Sequence, residues 1–226
     1  MFLPIFLPLS AVYALFAMSR RDVLVLGDGV MAIVGWIVKT FYGRRKRVIC
    51  VLHGLDITYR LPLYQRLWVK HFIPACDQLI AVSHATIQVG VQHGISESLF
   101  TFIPNGVDTE QFKPKDISRG KLADLLASDI KGKFVLLTAG RLITRKGVEW
   151  FIRNVMPALP ENIIYVVSGS GPALENIRKA ISETGMGDRV FMLGHISNTE
   201  REILLNTCDL FIQPNIPVTG DMEGFG

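Results

Sequence analysis

At 226 residues, with 49% hydrophobic and 19% charged side chains, the chain can fill one large or two modest cores and is too apolar to be disordered. Its three cysteines, Cys50, Cys76 and Cys208, form no CxxC pair and no metal-ligand spacing, which argues for reduced structural thiols and a cytoplasmic setting. The net charge of +4 hides an asymmetry: residues 1–75 carry ten Lys/Arg against three acids, residues 76–226 fourteen against seventeen.

Residues 1–18 (MFLPIFLPLSAVYALFAM) imitate a signal peptide or a membrane span. They lack a positive leading region, contain Pro4 and Pro8, and at 18 uncharged residues fall short of the roughly 20 that a span needs. A helix packed on a sheet is the expectation. From Arg21 onward, short apolar runs alternate with helix-length segments. Strands are expected at 22–26, 48–52, 78–82 and 100–103. Between them stand helices over about 30–42, from Pro62 to about 75, and from a cap at Ser83 through 91. The run Arg44, Arg45, Lys46, Arg47 reads either as a solvated loop or as a contact for anionic lipid.

Residues 109–131 break the rhythm with a charged, proline-containing stretch and a short polar helix over 119–128. The expected organisation is therefore a first domain over 1–113, a linker over 114–131 and a second domain over 132–226. In the second, strands are expected at 134–139, 163–167, 190–193 and 209–213, and helices at 145–157, with Thr144 as N-cap, and 172–184. Ser197 and Glu200 form a capping box that opens a further short helix. This β–α alternation predicts an α/β fold with two parallel sheets, whose strand carboxyl ends face a cleft.

Within that frame TAGRLITRKG (138–147) stands out. Gly140 allows a sharp turn after an apolar strand, and Arg141 and Lys146 fall between a strand's carboxyl end and a helix's amino end, where anions bind. An arginine fork and a mobile lysine charge suit phosphate oxygens, although two solvated cations would read the same in isolation. Gly169 and Gly171 in SGSGP permit either a close approach to a nucleotide or a tight turn. The G-x-G-x-x-G of dinucleotide-binding dehydrogenases is missing there.

GRLITRKG (140–147), SGSGP (168–172), GHIS (194–197), CDLFIQPN (208–215) and EGFG (223–226), in this order, resemble the nucleotide-sugar-binding half of glycosyltransferase family 4, which has the GT-B fold. HGLD (53–56), DQLIAVSHAT (77–86) and PNGVDTEQFKP (104–114) resemble its acceptor-side half. The resemblance implies a retaining enzyme that moves a sugar from a UDP- or GDP-sugar to a hydroxyl on a glycan or lipid-linked acceptor. A GT-B nucleotide-sugar epimerase and a non-catalytic nucleotide-binding remnant are the alternatives.

By resemblance Arg141 and Lys146 bind the donor diphosphate. Gly140, Gly169, Gly171, Gly224, Phe225 and Gly226 lie along the nucleotide sugar. Glu223 matches the first Glu of the family's paired-Glu motif, and His53 faces the donor sugar. Asp56, Ser83 and Asn105 line the acceptor side or the cleft; helix capping explains Ser83 equally well and is the more common role for a residue such as Asp56, and a structural role in the loop toward the linker is the alternative for Asn105. No Asp-x-Asp metal motif occurs, so neither metal nor cofactor is expected, and nucleic acid is not an expected partner. The family's first strand and Gly-rich loop have no counterpart, and its second Glu would fall beyond Gly226, so the sequence reads as truncated at both ends. The basic first third points to peripheral contact with an anionic membrane at its inner face.

Overall fold

The computed structural model describes residues 3–219 and residue 221. The chain divides into two compact units, one built on Met1–Gly106 and the other on Val107–Val218. Residues 114–131, expected as a linker, lie wholly within the second unit. Their helix α4 (Gly120–Leu126) buries Leu122 and Leu126 in that unit's core.

The first unit opens with α1 (Leu3–Met18) and continues with β1 (Val23–Leu26), α2 (Ala32–Tyr42), β2 (Arg47–Leu52), β3 (Gln78–Ala81), α3 (His84–Gln92) and β4 (Phe100–Phe102). Its four strands are parallel and pair in chain order, β1-β2-β3-β4. The segment after Pro62 is not a plain α-helix. It passes through an α-turn (Pro62–Tyr64), a π-helical stretch (Gln65–Phe72) and a 3-10 turn (Ile73–Ala75). Helix α1 does pack as expected: Ala11, Ala14 and Met18 are buried, and Tyr42 of α2 donates to the Leu15 carbonyl at 2.7 Å. Among the described residues, no helix is long and apolar enough to cross a membrane.

The second unit adds β5 (Phe134–Ala139), α5 (Val148–Asn154), β6 (Ile163–Ser168), α6 (Leu174–Thr184), β7 (Val190–Gly194), α7 (Asn198–Thr207) and β8 (Leu210–Phe211). Its strands are also parallel, in the order β7-β6-β5-β8. Side-chain alternation explains why both faces are covered. Leu136, Tyr165 and Val167 pack with α5 and α6 on one face, whereas Val135, Leu137, Ile164 and Val166 pack with α4 and α7 on the other. The chain leaves β5 toward β6 and β7 and returns on the opposite side as β8. The boundary between β5 and β8 is therefore the topological switch point of this sheet, where a crevice opens beyond the strand carboxyl ends.

Candidate functional site

That crevice holds the cations singled out by sequence. Thr138, Ala139, Gly140, Arg141, Leu142, Lys146, Val148 and Gln213 line a small pocket beyond the ends of β5 and β8. Arg141 is exposed at its rim, and Lys146 is half-buried. Its geometry is set by backbone rather than by side chains. Helix α5 does not begin near Arg145 with Thr144 as cap. Residues Thr144–Lys146 form a 3-10 turn, Gly147 reverses the chain at φ +67°, and the helix starts at Val148. Only glycine fits there, because a Cβ on residue 147 would lie 1.9 Å from the Pro214 carbonyl oxygen. The Ile216 amide, donating to the Arg145 carbonyl at 2.9 Å, staples the loop after β8 to the same turn.

Gly169 and Gly171 serve a similar end. The Gly140 amide donates to the Ser168 carbonyl at 3.0 Å and the Leu142 amide to the Ser170 carbonyl at 2.9 Å, so the loops after β5 and β6 run against each other. A Cβ on residue 169 would come within 1.8 Å of the Gly140 oxygen, and one on residue 171 within 2.2 Å of the Leu142 oxygen. The close approach that these glycines permit is to the Arg141 loop itself. Beneath the pocket, the fully buried Tyr165 hydroxyl donates to Thr138 Oγ1 at 2.7 Å, and Thr138 donates to the Ile212 carbonyl at 2.7 Å. Burial pushes the Tyr165 hydroxyl's pKa up, so it stays a neutral donor. The sequence expectations give no site role to Thr138 or Gln213, although both lie in motifs quoted above, and none to Tyr165. A Thr and a Tyr inside otherwise apolar strands, FVLLTA and IIYVVS, are the signal that marks a buried polar relay.

The first unit gathers its candidates at the carboxyl ends of its own strands. His53 follows β2 and is exposed, with its ring Nε2 3.0 Å from the Gly27 carbonyl after β1. A carbonyl only accepts, so Nε2 carries a proton in this contact. Asp56 is buried, and its Oδ2 accepts from the His53 amide at 2.6 Å. Burial raises the Asp56 pKa above the ordinary carboxylate range, against the lowering effect of the hydrogen bond from His53. Asp56 thus fixes the turn that carries His53. Ser83 caps α3, accepting from the Thr86 amide at 3.1 Å, and Asn105 is exposed in the loop beyond β4. Asp28 adds a cap that the sequence expectations lack, its Oδ1 accepting from the Val30 amide at 2.8 Å. Glu223, Gly224, Phe225 and Gly226 lie outside the described residues.

The profile described as "Glycosyltransferase Family 4" matches residues 2–111, and that described as "Glycosyl transferases group 1" matches residues 127–226. The chain belongs to the family 4, group 1 glycosyltransferases. This member is 30% identical over 144 residues to a phosphatidylinositol N-acetylglucosaminyltransferase subunit from Arabidopsis thaliana, with 62% of the chain and 30% of the relative covered. It is 26% identical over 186 residues to a GDP-mannose-dependent alpha-(1-6)-phosphatidylinositol monomannoside mannosyltransferase of Mycobacterium tuberculosis, covering 80% and 47%. The chain thus spans less than half the length of these relatives.

The fold has the same affinity. It superposes on the Anabaena protein Alr3699/HepE, solved in complex with UDP, with a TM-score of 0.77 at 20% identity, over 91% of this chain and 56% of that one. A sucrose-phosphate synthase from Thermosynechococcus elongatus gives 0.72 at 20% identity, over 99% and 56%. The two α/β units are of GT-B type.

Proposed function

We propose that the chain carries the donor site of a retaining glycosyltransferase that moves a sugar from a UDP- or GDP-sugar to a hydroxyl of a lipid-linked or cell-envelope acceptor. One observation carries the reading: Arg141 and Lys146 line a single pocket at the switch point of a parallel sheet. The bond between the anomeric carbon and the diphosphate oxygen breaks, and the leaving diphosphate gains negative charge. Cations held in advance at that position stabilise it without proton transfer, each worth on the order of 10²–10³ in rate. They occupy the role a divalent ion would otherwise fill, so we expect chelators to leave the rate unchanged.

His53 presents its ring to a sugar hydroxyl, and the assignment of Glu223 rests on the family resemblance. The UDP bound by Alr3699/HepE and the GDP-mannose named for the mycobacterial relative support the donor class. The phosphatidylinositol in the relatives' names supports a lipid acceptor.

The test is release of nucleoside diphosphate from UDP-glucose or GDP-mannose, with and without phosphatidylinositol vesicles. We expect release to require the acceptor and to fall by roughly tenfold or more in Lys146→Ala. Release without any acceptor, or equal rates for variant and wild type, would refute the proposal.

A further inference from the structure

Thr138 and Tyr165 bring two hydroxyls into a core that valine and phenylalanine would fill equally well. The Tyr165 ring is fully buried and packs on Phe151, with the ring centroids 5.0 Å apart. A buried hydroxyl is unfavourable unless it is partnered. Both are partnered here, and the chain of bonds ends on the Ile212 carbonyl. The next four residues show what that end point controls.

Ile212 is the first residue past β8. Its amide donates to the Leu137 carbonyl of β5 at 2.8 Å, but Pro214 has no N–H with which to continue that ladder. The Thr138 hydroxyl takes the Ile212 carbonyl and so fixes the direction in which the loop leaves the sheet. Further along, the Pro214 carbonyl oxygen lies against Gly147, and the Ile216 amide donates to the Arg145 carbonyl at 2.9 Å. Arg145 and Gly147 are the two chain neighbours of Lys146. The loop therefore holds Lys146 from both sides, and Thr138 holds the loop.

We propose that Thr138, oriented by Tyr165, is a positioning residue for the donor diphosphate: through the loop 212–216 it sets the place of Lys146 in the pocket. The inference rests on the donor reading above and goes beyond it, since it gives a role to residues that act through Lys146 rather than on the donor. A displaced Lys146 weakens binding of a nucleoside diphosphate selectively, whereas a general loosening of the pocket weakens monophosphate and diphosphate alike.

Calorimetric titration of UDP, GDP, UMP and GMP into the chain tests it. We expect Thr138→Val to bind the preferred diphosphate about tenfold more weakly and its monophosphate within about twofold of wild type, and Thr138→Ser to restore the diphosphate to within about threefold. Tyr165→Phe keeps the Thr138 hydroxyl but removes the donor that orients it, and a loss of about threefold is expected; this variant carries the test if Thr138→Val does not fold. In a Lys146→Ala background either substitution should add nothing further, the mark of residues that act as one. Equal losses for diphosphate and monophosphate, undiminished binding by Thr138→Val or Tyr165→Phe, a Thr138→Ser no better than Thr138→Val, or full additivity with Lys146→Ala would overturn the inference and leave the donor reading standing. A wild type that binds neither diphosphate would overturn both.

Discussion

The two units solve one problem, holding loops at the ends of a parallel sheet, by different means. In the second unit the loops are stitched backbone to backbone, with glycines at 140, 147, 169 and 171 letting carbonyls and amides meet. Among the described residues, the only long charged side chains lining that pocket are the cations Arg141 and Lys146. In the first unit Asp28, Asp56 and Ser83 hold the turns, and His53 is left facing out. Carboxylates spent on backbone amides cannot welcome a diphosphate, whereas a loop built from glycine leaves its electrostatics to the cations beside it.

Replacing one glycine in each unit should break this contrast most visibly. Gly169→Ala puts a methyl group against the Gly140 carbonyl at φ +132°, and we expect a loss of about 3 kcal/mol in urea unfolding. Gly27, in the loop after β1 of the first unit, has nothing within 4 Å of a Cβ, so Gly27→Ala should stay within about 0.5 kcal/mol of wild type. Equal costs would mean that backbone stitching is not what distinguishes the units.

The units also share a device. Asp77, after Cys76, accepts from the Val48 amide at 2.8 Å and pairs with Lys39; Asp209, after Cys208, accepts from the Val135 amide at 2.6 Å and pairs with both terminal nitrogens of Arg119 at 2.8 and 2.9 Å. Each carboxylate joins the start of its own strand to the start of a neighbour. The hydrogen bond from Arg119 lowers the Asp209 pKa despite burial. Burial opposes ionisation of Asp77, but the bonds from Lys39 and Val48 outweigh it. A lowered folded pKa means stability that is present above the ordinary carboxylate value, about 3.9, and lost as pH falls through the lowered one. Asp77→Asn and Asp209→Asn should each cost about 1 kcal/mol near neutrality and flatten the acid limb of an unfolding profile. An unchanged limb would show that neither pair matters.

Asp56 runs the opposite way. Its raised pKa makes the ionised form a burden, so its contribution declines as pH rises from the ordinary value to the raised one. Asp56→Asn keeps an oxygen for the His53 amide and removes that slope, leaving stability at neutral pH within about 1 kcal/mol of wild type or above it. A larger loss would mean that the charge itself is needed.

Much of this is legible in sequence. The apolar runs at 134–139 and 163–167 mark both strands, and Ser197 with Glu200 forms the expected capping box. The segment 114–131 misleads because Leu122 and Leu126 sit in a polar stretch and only tertiary packing shows what they bury against. Thr144 looks like a cap since local chemistry cannot reveal that Pro214 presses on Gly147 from 67 residues away. The glycines at 169 and 171 declare a close approach without naming the partner. The π-helical turn at Gln65–Phe72 has no local sequence mark.

The most direct measurement is calorimetric titration of UDP and GDP into the wild-type chain, Arg141→Ala and Lys146→Ala, with circular dichroism to check folding. If these cations hold the donor diphosphate, the wild type binds one of the two nucleotides and each variant binds it about tenfold or more weakly. Undiminished affinity in correctly folded variants, or a wild type that binds neither nucleotide, would contradict a donor site between β5 and β8.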